Sequence, residues 1–129
     1  MRAILDTNAF LWAVREPAKL SRAASQVISE RANSLVVPAC VSWELAIKHR
    51  RGRLLEAAPI LADYAGTLAR LGGVALPMSD AHTLVAGGME WDHTDPFDRM
   101  VVAMAIVENL PIVTADHIVA GAPGVRVIW

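Results

Sequence analysis

The chain has 129 residues, a formal net charge of −1 and 54% hydrophobic residues. That length suits one compact domain over residues 1–129, and the near-neutral charge excludes a global positive field for nucleic acid, leaving only local basic patches. So apolar a chain of this size has more hydrophobic surface than it can bury, which implies a covered face, with a homodimer as the expected cover.

Short apolar runs alternate with segments of helical spacing, and no repeat or linker divides the chain. Residues 3–5 form the first run, and residues 7–14 read as a helix. Ser21 caps a second helix, with Ala24, Val27 and Ile28 on one face. Residues 35–37 lead into a third helix over 40–50, stopped by Gly52. Residues 60–71 read as one helix ended by Gly72-Gly73, followed by a run over 74–76 and a shorter helix over 79–85. Asp95 as cap and Pro96 at the first helical position open the clearest helix, Pro96–Glu108. Ile112–Val113 follows, a last turn starts at Asp116, and residues 125–128 close the chain. This alternation predicts right-handed crossovers and an α/β, three-layer α/β/α domain with a mostly parallel sheet of about five strands. In open sheets of this kind, ligands bind beyond the carboxyl ends of the strands.

Four acids gain interest from that rule. Asp6 follows the first apolar run at once. Asp116 follows the run Pro111-Ile112-Val113-Thr114-Ala115. Glu44 sits early in the helix after residues 35–38, within the apolar segment Val41-Ser42-Trp43-Glu44-Leu45-Ala46-Ile47. Asp98 lies in the first turn of the helix opened by Asp95-Pro96. Each has a plain local explanation: Asp6 and Asp116 suit helix caps, and Asp98 suits a helix N-terminus by charge. Glu44 is different, since no cap accounts for it, although an exposed stripe on that helix remains open. A parallel sheet lets all four reach one edge.

Carboxylates that converge repel one another, so some take up protons or a cation joins them. Hard divalent cations prefer oxygen ligands, and Mg²⁺ typically uses one or two carboxylates with waters and substrate phosphates. Such a site activates water and stabilises in-line displacement at a phosphodiester. Thr7, Asn8 and Thr114 stand beside the acids, where they can orient ligands or waters.

At this point the sequence resembles PIN-domain nucleases, and most closely the VapC-type toxin subunits of bacterial toxin–antitoxin modules. The resemblance covers essentially the whole chain. Its matching stretches run from Leu5 to Trp12, from Val41 to Lys48, from His93 to Met100 and from Ile112 to Asp116. It implies a Mg²⁺- or Mn²⁺-dependent endoribonuclease acting on RNA, inhibited by a cognate antitoxin and usually dimeric. By position, Asp6, Glu44, Asp98 and Asp116 look like the family's metal-binding, catalytic acids, which leaves Asp95 as a helix cap. Asn8 stands where many relatives carry histidine, although asparagine is also frequent in the wider family. The segment from Gly87 to Asp92 departs from the more apolar stretch expected there.

Lys48, Arg50, Arg51 and Arg53 form the one basic cluster, at the end of the helix carrying Glu44, where they can grip RNA phosphates or simply complement the helix dipole. Arg99 adjoins Asp98 and is expected to orient it, to meet a phosphate or to form a surface ion pair. The histidines show no zinc spacing; His93, close to Asp95 and Asp98, is the one of interest. A single cysteine, Cys40, rules out an internal disulfide and fits a reducing cytosol. The apolar stretch 100–107 is too short to span a membrane, and Asp6 and Asn8 break up any signal-peptide core, so a soluble cytoplasmic protein is expected.

Two rival readings carry different demands. A haloacid-dehalogenase-like phosphatase also begins with a strand ending in Asp, but it needs a second Asp where Asn8 stands and a lysine late in the chain. The only lysines are Lys19 and Lys48, and the same gap argues against a receiver domain. A non-catalytic α/β interaction domain would use its acids only as caps, which leaves Glu44 without a reason.

Overall fold

A computed structural model describes all of residues 1–129. The strands are β1 (Arg2–Leu5), β2 (Ser34–Pro38), β3 (Gly73–Leu76), β4 (Ile112–Val113) and β5 (Val127–Ile128). The helices are α1 (Thr7–Arg15), α2 (Arg22–Ser29), α3 (Ala39–Arg50), α4 (Ala58–Ala62), α5 (Tyr64–Leu71), α6 (Asp80–Gly88), α7 (Pro96–Glu108) and α8 (His117–Ala120). All strand pairs are parallel, in the order β3-β2-β1-β4-β5. The five-stranded parallel sheet with helices on both faces is the predicted three-layer α/β/α architecture.

β1 holds the centre. Ala3, Ile4 and Leu5 are completely buried in succession. Consecutive burial means both faces of the strand are covered, as parallel sheets require. Ile4 aligns with Val36 of β2 on one side and Ile112 of β4 on the other. Phe10, Leu11, Val41, Leu45, Val102 and Met104 bring the helices onto this sheet. The edge strand β3 is thinner cover, with Val74 and Ala75 exposed.

Three elements differ from the sequence reading by more than a residue at an end. The helix read over 60–71 is two helices, because Asp63 leaves the helical region (φ −146°, ψ 68°) and its carboxylate caps α5 by accepting from the Gly66 N–H. That cap restarts the helix where an unbroken one would have run. The helix read over 79–85 continues to Gly88, and the Met89 N–H still bonds the Val85 carbonyl at 2.9 Å beyond it. The last strand is shorter than residues 125–128, because only Val127 and Ile128 pair with β4. No helix is long and apolar enough to cross a membrane.

Candidate functional site

The chain builds β2 and β3 on one side of β1, then returns to add β4 and β5 on the other. The strand order therefore reverses between β1 and β4, and the crevice beyond their carboxyl ends is where an open α/β sheet offers a binding site. Asp6 directly follows β1, and its backbone N–H continues the ladder to the Val113 carbonyl at 3.3 Å. Asp116 lies three residues beyond β4. A cavity of about 230 Å³ opens there, lined by Asp6, Thr7, Asn8, Glu44, Lys48, Asp95, Asp98, Val101 and Asp116. Val101 is its only hydrophobic lining residue, so the cavity suits a charged or strongly hydrated ligand. All four acids singled out from sequence share it.

Each acid arrives by a local rule. Asp6 caps α1, accepting from the Ala9 N–H at 2.8 Å. Burial pushes its carboxyl up to about 6, with the Asp98 and Asp116 charges adding to the rise and the Thr114 hydroxyl and Ala9 amide opposing it. Asp116 caps the short α8 through the Ile118 N–H at 2.8 Å, while its own N–H donates to Thr114 Oγ1 at 3.0 Å. Asp95 caps α7 through the Phe97 and Asp98 amides. These caps do not exhaust the residues, since each carboxylate also faces the cavity.

Glu44 falls on the buried stripe Cys40, Val41, Glu44, Leu45 of α3, which turns it inward with the apolar residues. It is 7% exposed. Oε1 accepts a short hydrogen bond from the buried Thr7 hydroxyl, and Oε2 lies 3.0 Å from Lys48 Nζ one helical turn on. Asp98, at the third position of α7, accepts from His93 Nε2 at 2.7 Å. Burial raises its carboxyl above the ordinary range; the His93 hydrogen bond opposes that, and the Asp95 and Asp116 charges add to it.

The companion residues divide. Thr7 holds Glu44, Thr114 fixes the backbone of Asp116, and Asn8 is exposed at the cavity mouth. Arg99 makes no bond to Asp98, does not line the cavity and forms no ion pair: its guanidinium donates to four backbone carbonyls, those of Ala86, Met89, Trp91 and His93. Within the basic cluster, Lys48 enters the cavity, whereas Arg50, Arg51 and Arg53 stay exposed at the end of α3 and in the following turn. His82 is buried and bridges Ser79 to Glu108, with Nε2 2.7 Å from Oε1, as a structural tie between α6 and α7. Burial lifts the Cys40 thiol to about 12, which removes it as a nucleophile.

The hydrogen bond from His93 to Asp98 is the feature sequence reading left undrawn; its only signal was a histidine five residues before the acid. The lining role of Asp95 was hidden behind its role as a cap.

The donors are carboxylate oxygens, which a hard divalent cation prefers, and the mutual repulsion that helps lift Asp6 is what such a cation relieves. As they stand, no three His, Cys, Asp or Glu side chains are gathered closely enough to hold an ion. An ion would therefore draw the acids inward or reach some of them through water.

Comparison with known proteins bears on the family and the fold. The family model described as PIN domain matches residues 3–123. The chain is 37% identical over 115 residues to Ribonuclease VapC22 of Mycobacterium tuberculosis, covering 88% of this chain and 86% of that protein. Among solved structures, it is similar in fold to a chain of VapBC2 from Rickettsia felis, a complex bound to a DNA fragment from its promoter. That match has a TM-score of 0.71 at 19% identity and covers 98% of this chain and 97% of the other.

Proposed function

Because the chain belongs to the PIN-domain family, among proteins of the VapC type, we propose that it is an endoribonuclease whose acidic cavity cleaves RNA phosphodiesters with the help of Mg²⁺ or Mn²⁺. The observation that carries this reading is the meeting of Asp6, Glu44, Asp98 and Asp116, from four separate segments, in one cavity at the point where strand order reverses. The curated relative's name as a ribonuclease supports the substrate class.

When bound, the cation supplies an activated water and neutralises charge at the phosphodiester. Asp6, Glu44, Asp98 and Asp116 would hold it, some of them through water. Thr7 keeps Glu44 from rotating by holding Oε1. Lys48 is the only cationic side chain lining the cavity, so it is the group that can leave Glu44 for a phosphate oxygen of the substrate. Arg50, Arg51 and Arg53 extend that positive charge along the end of α3 and hold the RNA backbone by charge rather than by sequence. Thr114 and Asn8 complete the rim, and residues 1–129 act as one domain.

The same reading makes the protein the toxin of a toxin–antitoxin pair, working in the cytoplasm and restrained by a cognate antitoxin protein. Leu84 is 76% and Leu55 68% exposed, and Trp43, next to Glu44, is also exposed. Apolar surface of this kind supports a homodimer or an antitoxin as its cover. An RNA cleavage assay with the purified chain, with and without EDTA, tests the proposal: metal-independent cleavage would sink the mechanism.

A further inference from the structure

The segment joining α6 to α7 has no regular secondary structure, and Arg99 sets its course. The guanidinium donates from Nε to Ala86 at 2.9 Å, from Nη1 to Trp91 at 2.6 Å and His93 at 3.0 Å, and from Nη2 to Met89 at 2.7 Å. A planar fork with fixed donor directions satisfies four carbonyls at once only if that backbone keeps one shape. The Trp91 ring packs beside the His93 imidazole, with centroids 4.9 Å apart. His93 is thus fixed at its backbone by Arg99 and at its ring by Trp91.

The fixed imidazole meets Asp98 Oδ2 at 2.7 Å. An ionised carboxylate only accepts, so Nε2 carries the hydrogen. Rotation of the Asp98 carboxylate would break this bond.

We infer that His93 is a positioning residue for the acidic cavity: its Nε2–H pins Asp98 Oδ2, which fixes the carboxylate that a cation would meet, and is itself aimed by Arg99 and Trp91. The inference rests on the reading of the four acids as a cation site. Partners that orient a metal-binding side chain in this way are worth about 10–100-fold in metal affinity or activity.

Titration calorimetry with Mn²⁺ alone on the purified full chain tests it. His93→Ala binds Mn²⁺ about 10–100-fold more weakly than wild type. His93→Gln, which loses the ring and its contact with Trp91 but restores an N–H donor of similar reach, recovers most of that loss. Arg99→Lys, whose compact ammonium cannot span four carbonyls, weakens binding although His93 is present. A His93→Ala variant that binds like wild type, while Asp98→Asn is weakened, overturns the inference and leaves the acid site standing. His93→Gln as weak as His93→Ala also overturns it, because the donor would then not be what matters. Wild type and Asp98→Asn that bind alike, or not at all, overturn the acid site itself.

Discussion

Lys48 Nζ lies 3.0 Å from Glu44 Oε2, one turn along α3, and the same carboxylate takes the Thr7 hydroxyl on its other oxygen. The buried acid is therefore held from both sides by partners that the sequence places at positions 7 and 48. The lysine side chain is 38% exposed, so solvent screens the pair. Lys48→Ala is expected to lower the unfolding free energy by about 1 kcal/mol, measured by urea denaturation. It should also raise KM for RNA, and Lys48→Arg should restore part of both. Unchanged stability and KM in Lys48→Ala would remove Lys48 from the account.

Asp6 gives the protein a pH dependence with a definite sign. Its carboxyl is raised from 3.8 to about 6, chiefly by burial. Between those values the folded state binds more protons than the unfolded one. The stability from this group is fully present below pH 3.8 and is lost as pH rises through about 6. At about 1.4 kcal/mol per pH unit, the metal-free protein loses roughly 2–3 kcal/mol across that window. Asn also caps helices well, so Asp6→Asn keeps the bond from the Ala9 amide while deleting the charge. The variant should be more stable than wild type at pH 7 and show a smaller decline between pH 4 and 6, the remainder coming from Asp98, whose carboxyl burial also raises. Equal denaturation midpoints for the two proteins from pH 4 to 7 would contradict the burial of this charge.

How far the sequence reached depends on what kind of contact fixes each feature. β1, β2, α3 and α7 are legible because burial on both faces demands continuous apolar runs in the strands, and Asp95-Pro96 marks a helix start. Glu44 is legible for the same reason: an acid on an apolar stripe needs an inward partner. The split at Asp63 was not, because a side-chain cap competes with a continuing helix by an amount that residue spacing does not express. The role of Arg99 was hidden further, since its four partners are backbone carbonyls and leave no side-chain pattern. His93 drew interest from its place near Asp95 and Asp98, but its bond to Asp98 depends on the course of that loop.

Mn²⁺ and the cavity acids are linked by mass action. A cation that binds only the folded state adds about 2.7 kcal/mol at a hundredfold excess over Kd. Mn²⁺ should therefore raise the melting temperature of wild type and leave that of the Asp6→Asn, Asp98→Asn double variant nearly unmoved. An equal rise in both would mean that the ion binds elsewhere.

The most direct test of the central claim is cleavage of RNA by wild type and by Glu44→Gln in Mn²⁺, each with and without EDTA. Glutamine keeps the volume of Glu44 and still accepts the Thr7 hydroxyl, so the fold survives while the negative charge, and with it the Lys48 ion pair, is lost. The account predicts cleavage by wild type, its abolition by EDTA, and a loss of about a hundredfold or more in Glu44→Gln, since a ligand is worth at least as much as the partners that orient one. Cleavage that persists in EDTA, or a Glu44→Gln enzyme as active as wild type, would contradict it.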